Sequence, residues 1–449
     1  MGESATGRYG FASPAALPLE VSFDGGRVTS DGGLPWLAEA EEATGICAAL
    51  AAEIRDWRRP GRVRHSLETL VRQRVFQIAC GYEDQNDADS LRRDPLLKYV
   101  CGRLPESGAD LASQPSLSRL ENAVDSKACY RLALALLSTY LRERERTGRP
   151  RRILLDMDST DDPTYGDQEG TAYHGYYRQH MYHPLLIFDG DTDQLITAVL
   201  RAGNAHASRG VVAVLKRLVR ALRRRWDGVR IEIRADSGFA IPALYDFCEE
   251  QGIAYTIGLV TNPRLEALAA PLLAEAREQQ AASGAEKVRL AGEALYQAES
   301  WQGPRRVVFK AEALAKGPNT RFVVTCREGE PMALYDWYVD RGEPEQWVKD
   351  LKCACFADRL SCHRFVANQF RLLLHAAAYW LLDTLRSWLL TAGIARMQLD
   401  TLRLRLLKIG GCVRQLLTKV RLRLASSHPS EPLWHALATR STMLVNNPG

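Results

Sequence analysis

Hydrophobic and polar positions along this 449-residue chain change period several times, and each change predicts a change of structure. Residues 1–20 are small and polar and read as a loose arm. From about Leu50 to Tyr140 the pattern is helical. Ser66 opens one run, with Leu67, Leu70, Val71, Val75 and Ile78 at three-and-four spacing. Ala112–Leu120 looks like another capped start, with Ser113 or Ser116 as the cap. Beyond Pro150 the runs shorten. Ile153–Asp158 predicts a strand ending in acid, His183–Asp189 a second and Leu195–Arg201 a third, the last two joined at Asp189-Gly190-Asp191. Ser208 is the expected cap of a basic amphipathic helix reaching about Trp226. Arg230–Asp236 alternates as a fourth strand, Ile241–Gln251 reads as a helix and Ala254–Val260 as a fifth strand. An Ala/Glu-rich helix over 263–283 precedes a strand-like, turn-rich stretch, Lys287–Thr325. Helical texture resumes from about Tyr338 to Leu390. Finally, Leu402–Leu406 and Val420–Leu424 alternate strictly, which predicts two strands with one oily and one cationic face.

The order β-β-β-α-β-α-β after residue 150 is that of a ribonuclease H-like core: an α/β fold with a mixed sheet flanked by helices. Length allows two or three domains. The textures divide the chain into a mainly helical N-terminal region (1–148), a catalytic domain (149–395) with a strand-rich insertion at about 261–330, and a basic C-terminal region (396–449).

Composition changes this picture little. Apolar residues make up 46% and charged residues 25%, too apolar for a disordered chain. The most apolar stretch, Phe370–Leu390, is broken by Arg371, His375, Asp383 and Arg386, so it reads as a buried helix rather than a membrane span. The N-terminus lacks a cationic segment followed by an apolar one, and the expectation is a cytoplasmic, membrane-free protein. Ten cysteines are scattered. Cys353, Cys355 and Cys362-His363 resemble half of a zinc site, but no second ligand pair follows, and free thiols are expected.

Candidate chemistry lies in the acids. Asp156 and Asp158 end the first strand, two residues apart and so on one face. Asp236 ends the fourth strand, which this fold places beside the first. Further on, Tyr338, Arg341, Glu345 and Lys352 lie at offsets 3, 7 and 14, within roughly 60° of one another on a helix. Gly342-Glu343-Pro344 interrupts that stripe, and proline is tolerated only in a helix's first turn. A lone strand-end Asp is ordinarily a turn or cap residue, and Arg341 with Glu345 would make an ordinary ion pair. Together, in this order, the set fits a site for hard divalent cations that holds a phosphodiester between two ions.

These residues resemble the Asp-Asp-Glu transposases of bacterial insertion sequences, in the branch with a Tyr-Arg-Glu-Lys signature and a strand-rich insertion before the catalytic Glu. Thr29–Gly33, Cys80–Asp84, Ser116–Asn122 and Leu155–Thr160 are similar to one group within it, called thirteen-eighty. The resemblance implies Asp158, Asp236 and Glu345 as the metal-holding catalytic triad, with Asp156 as the alternative first acid. It implies two Mg2+ ions, for which Mn2+ can substitute. Tyr338, Arg341 and Lys352 would contact the DNA backbone. The interval 345 − 236 = 109 residues leaves room for the insertion.

Charge supplies candidate DNA surfaces. The chain carries 59 − 54 = +5, yet residues 396–424 alone hold eight cations (among them Arg403, Arg405, Arg421 and Arg423) against Asp400, a net +7. Lys216, Arg217, Arg220 and Arg223–Arg225 form a second patch. A helix-turn-helix within 60–125 would turn Ser116, Ser118 and Arg119 to DNA, while a plain bundle would not. Trp301 is a candidate for stacking on a flipped base. The expected protein is a cut-and-paste DNA transposase acting as a homodimer on double-stranded DNA. Its rivals are a host nuclease with the same core and a catalytically silent DNA-binding protein.

Overall fold

The computed structural model describes residues 9–11, 17, 19–340 and 342–445. Most of the expected N-terminal arm lies outside them, although Tyr9–Phe11 pairs antiparallel with Leu19–Val21. The chain divides into two compact units. A central unit spans Val124–Trp380, and a terminal unit combines Met1–Ala123 with Leu381–Gly449. The two terminal regions, expected to be separate, thus share one unit. No described helix is long and apolar enough to cross a membrane.

The central unit is built on an eight-stranded mixed sheet. Its strands are β1 (Arg152–Ser159), β2 (Leu185–Asp189), β3 (Leu195–Val199), β4 (Arg230–Ala235), β5 (Ala254–Leu259), β6 (Lys287–Tyr296), β7 (Arg305–Leu314) and β8 (Asn319–Thr325). Their order across the sheet is β6-β7-β8-β5-β4-β1-β2-β3. β4 runs parallel to both β1 and β5, and the remaining pairs are antiparallel. β1 is central, and Ile153, Leu154, Leu155 and Met157 are buried on its two faces, which explains its unbroken apolar run. The first five strands and intervening helices appear in the predicted order. Helix Val211–Arg225 covers the sheet with Val211, Leu215, Leu218, Val219 and Leu222, a helical repeat. Its cap differs from expectation: Gly210, at φ +78°, occupies that position, and Ser208 instead offers its carbonyl to the Val211 N–H.

The insertion is not a separate sheet. Asn262 caps helix Pro263–Ser283 by accepting from the N–H groups of Arg264 and Leu265. β6–β8 then extend the main sheet, because β8 pairs with β5 over Thr256–Leu259. Val308 of β7 and Val323 of β8 pack with Leu334 and Tyr335 of helix Pro331–Val339, and Tyr338 lies against the cluster. The insertion therefore braces the helix that carries Tyr338.

The terminal unit binds together the segments Thr29–Gly33 and Cys80–Asp84 with the helix that holds Glu121. Arg74 forms a fully buried ion pair with Glu121 and donates to the carbonyls of Tyr82 and Glu83. Asp31 accepts from the Tyr82 hydroxyl at 2.8 Å and pairs with Lys408 at 2.8 Å. Gly32 and Gly33 donate to the carbonyls of Ile409 and Leu407, and a side chain at Gly33 would collide with Leu406 and Leu407. One expected strand is a helical segment instead. Leu399–Leu402 is α-helical and Arg403–Leu407 forms a wider turn. Leu402 and Leu406 are 0% exposed while Leu404 is 64% exposed, which is a four-residue repeat that alternation over five residues cannot distinguish from a strand. The real partner of β10 (Val420–Leu424) is β9 (Gly411–Gln415).

Candidate active site

The acids at the sheet edge are positioned by strand register. β1 and β4 pair in parallel with Asp156 opposite Arg234 and Met157 opposite Ala235. One further pleat along each strand sets Asp158 beside Asp236, on the same face as the Asp156–Arg234 pair and about 5 Å apart in backbone. Each carboxylate is oriented by its own turn. Asp158 accepts from the Ser159 N–H at 2.8 Å, and Asp236 accepts from the Gly238 N–H at 2.9 Å.

Asp156 plays another part. It is 1% exposed, and Arg234 grips both of its oxygens at 2.7 Å. The guanidinium also donates to the Trp337 carbonyl and lies 5.1 Å from that ring's centre. A charge matched in this way below the surface braces the strand pair.

Tyr338 reaches the same edge. A side chain at Gly258 would come within 2.6 Å of the Tyr338 hydroxyl and 2.9 Å of the Ser237 nitrogen, so glycine lets the phenol lie against the Asp236 turn. The expected single helical face is not present. Helix Pro331–Val339 ends just after Tyr338, and a second helix, Gly342–Lys349, takes Pro344 into its first turn. Lys352 follows in the wider turn Asp350–Ala354. Glu345 is exposed on the second helix, and Arg341 lies outside the described residues. Among the described residues, no three acidic, histidine or cysteine side chains gather closely enough to hold a metal ion.

A family model, Transposase DDE domain group 1, matches residues 12–445. The chain belongs to the DDE transposase family. No curated protein matches it. Among solved structures, a piggyBac transposase synaptic complex with hairpin DNA, determined by cryo-electron microscopy, is similar over 85% of this chain and 80% of that one, with 13% identity and a TM-score of 0.44.

Other groups surround the acid pair in this transposase. Lys352 pairs with Asp161 at 2.7 Å. Partial burial opposes ionisation of Asp161, but the ammonium and the Gln179 amide outweigh it and hold that carboxyl below its usual range. Next to it, Asp162 is buried and its oxygens accept no hydrogen bond. Burial, then the nearby Asp358, pushes its pKa well up. The sequence reading missed Tyr177. Its phenol is pushed up to about 12, first by burial and then by Asp161, Asp158, Tyr176 and Asp236, whose fields it shares. A small ribbon, Ala172–His174 with Gln179–Tyr182, presents this tyrosine. The dense aromatic run Tyr173–Tyr182 was the available signal.

Two expected DNA contacts are enclosed by protein. Trp301 is 6% exposed, wedged edge-on against Tyr245 and Tyr296 with the Arg305 guanidinium over its ring, so it offers no open face to a base. Arg403 is 7% exposed and donates to the Ala79 carbonyl at 2.8 Å. Lys408, also among the eight cations, is paired with Asp31. Arg405, Arg414, Arg421 and Arg423 remain exposed, as does Arg119 on helix Gln114–Ala123. In the hairpin, Arg414 lies directly opposite Arg421.

Proposed function

We propose that this protein is a cut-and-paste DNA transposase with a ribonuclease H-like core, whose catalytic acids are Asp158, Asp236 and Glu345. The observation that carries the reading is the β1–β4 register, which sets Asp158 beside Asp236. The order of the five core strands, β3-β2-β1-β4-β5 across the sheet, supports the core assignment. The Arg234 clamp on Asp156 favours Asp158 as the first acid.

The donor set suits Mg2+ in chemistry: two carboxylates from adjacent strands, with Glu345 on a short helix behind a chain break in helical structure. When bound, the ions would supply Lewis-acid polarisation of the scissile phosphate and a more acidic nucleophile. The protein's own residues do the rest. Asp158 and Asp236 are held in orientation by backbone N–H groups. Glu345, on helix Gly342–Lys349, is the third carboxylate of the proposed set. The Tyr338 hydroxyl and the Arg341 guanidinium donate to phosphate oxygens beside the scissile bond, and Lys352 adds positive charge from the Asp161 side. Water attacks first, and the freed 3′-hydroxyl attacks second, at the same acids. Holding two element ends together calls for a homodimer on double-stranded DNA.

The test is a cleavage and strand-transfer assay on a duplex carrying the inverted repeat that flanks the gene. Asp236→Asn and Glu345→Gln are each expected to abolish Mg2+-dependent cleavage while leaving end binding intact. Normal cleavage by either variant removes that residue from the triad. Cleavage without a footprint on the repeat favours a nuclease instead.

A further inference from the structure

The terminal unit contains a large cleft, about 1160 Å³, that the catalytic reading does not use. Its walls come from the loop between helices Ile46–Ala52 and Leu67–Ala79, from Arg92, from the stretch at 109–113 and from helix Gln114–Ala123. Six arginines line it against one acid, Asp110. Arg58 is matched by Asp56 and fixed by a bond to the His65 carbonyl. By contrast, Arg59, Arg62 and Arg64 are exposed, and their side chains make no ion pair among the described residues. They are closely spaced around a single turn of 3-10 helix, Pro60–Arg62.

Two further observations indicate a site lacking its counter-charge. His65 lines the cleft, and its proton affinity is lowered by burial and then by Arg103, Arg58 and Arg64. Among the described residues, the buried Nδ1 of His65 and Nε of Arg92 have no hydrogen-bond partner. Like charges crowded at a concave wall, with buried nitrogens unmatched, are favourable only against a polyanion. At the rim, Trp57 is 43% exposed with the Arg58 guanidinium 5.6 Å from its ring centre, an aromatic available to a sugar or base edge. Ser116 and Arg119 close the opposite side.

We infer that this cleft grips consecutive phosphodiesters of a DNA strand, with Arg59, Arg62 and Arg64 as the phosphate contacts. The inference rests on the transposase reading for its ligand, but not on the acids for its test. The same chemistry serves a duplex end or a displaced single strand.

The experiment measures binding of the full-length protein to a random-sequence 30-base-pair duplex and to a 30-nucleotide single strand, by fluorescence anisotropy in EDTA across a salt series. For Arg59→Gln/Arg62→Gln/Arg64→Gln the slope of log affinity against log salt is expected to shrink by about 2–3, with roughly a hundredfold weaker binding near 0.1 M salt. Loss on the duplex identifies the element end or target as occupant; loss confined to the single strand identifies a displaced flank. The Arg→Lys triple variant retains most of the slope, which separates lost charge from lost folding. Removing three exposed cations of the insertion, Arg264→Gln/Arg277→Gln/Lys316→Gln, changes the slope by less than about 1. Equal effects from both triples, or no effect from the cleft triple, overturn the inference. Either result leaves the catalytic reading standing, since that reading fails only if Asp236→Asn or Glu345→Gln still cleaves.

Discussion

Both units match their buried charges, but like charges gather in different places. In the central unit Asp156 pairs with Arg234 on the neighbouring strand, and Glu232 pairs with Arg327. At the ends of β1 and β4 the register, continued by one residue, brings Asp158 next to Asp236. In the terminal unit the buried charges also match, as in Arg74 with Glu121. At its surface like charges gather: Arg59, Arg62 and Arg64 crowd one turn, and Arg414 faces Arg421 across a hairpin. Opposed like charges destabilise a strand pair unless something neutralises them. Paired charges therefore mark what holds each unit together, and the clusters of like charge are where the proposed cation and polyanion sites fall.

The largest effects should follow from removing the acids of the proposed site. Asp158→Asn is expected to reduce strand cleavage at least about a thousandfold, since a metal-holding carboxylate contributes several kcal/mol to the transition state. Asp156→Asn should instead act through stability, and unfolding measured beside single-turnover cleavage separates the two. If Asp156→Asn is dead yet as stable as the parent, the assignment of Asp156 to structure and Asp158 to chemistry is wrong. Next in size is the hairpin. Arg421→Gln/Arg423→Gln should weaken duplex binding by tens of fold near 0.1 M salt and reduce the salt slope by about 2, while Arg403→Gln should lower stability and leave the slope unchanged.

The matched charges predict a stability effect. Arg234→Met leaves a buried carboxylate without its partner, which costs about 3–5 kcal/mol, seen as a fall in the urea midpoint. Replacing both members together, Arg234→Met with Asp156→Leu, should recover much of the loss. No recovery would mean that the pair is needed for more than mutual neutralisation.

Legibility in the sequence followed the same division. The core strands could be read because each is a short apolar run with its own punctuation, and two of them end in the acids that matter. Sheet membership of the insertion could not, because β8 meets β5 across more than sixty residues and neither strand records its partner. Leu402–Leu406 was misread because leucines four apart satisfy both periods. Arg59, Arg62 and Arg64 drew no attention within a stretch read as helical, since nothing local shows that helix Gln114–Ala123 forms the facing wall. Tyr338 and Glu345 were legible as types at a spacing, but the helix break between them was signalled only by Pro344.

The smallest predicted effect concerns Tyr177, a neutral group in the field of Asp161, Asp158 and Asp236. Its phenol keeps its proton to about pH 12, against about 10 for an unperturbed tyrosine, because burial and three carboxylates oppose the phenolate. It is therefore a hydrogen-bond donor at any working pH, in the field of the proposed catalytic acids. Tyr177→Phe should slow cleavage about fivefold, the loss of one hydrogen bond worth about 1 kcal/mol, with Kd for DNA unchanged. The folded state binds this proton more tightly than the unfolded one, so the stabilisation is complete below about pH 10 and fades as pH rises toward about 12. Thermal melts should show the parent losing more stability than Tyr177→Phe across that interval, and tracking it from pH 6 to 9. A rate inflection near pH 7 that disappears in Tyr177→Phe would mean that the tyrosine ionises in the complex, and that the acids around it had already been neutralised by bound cations.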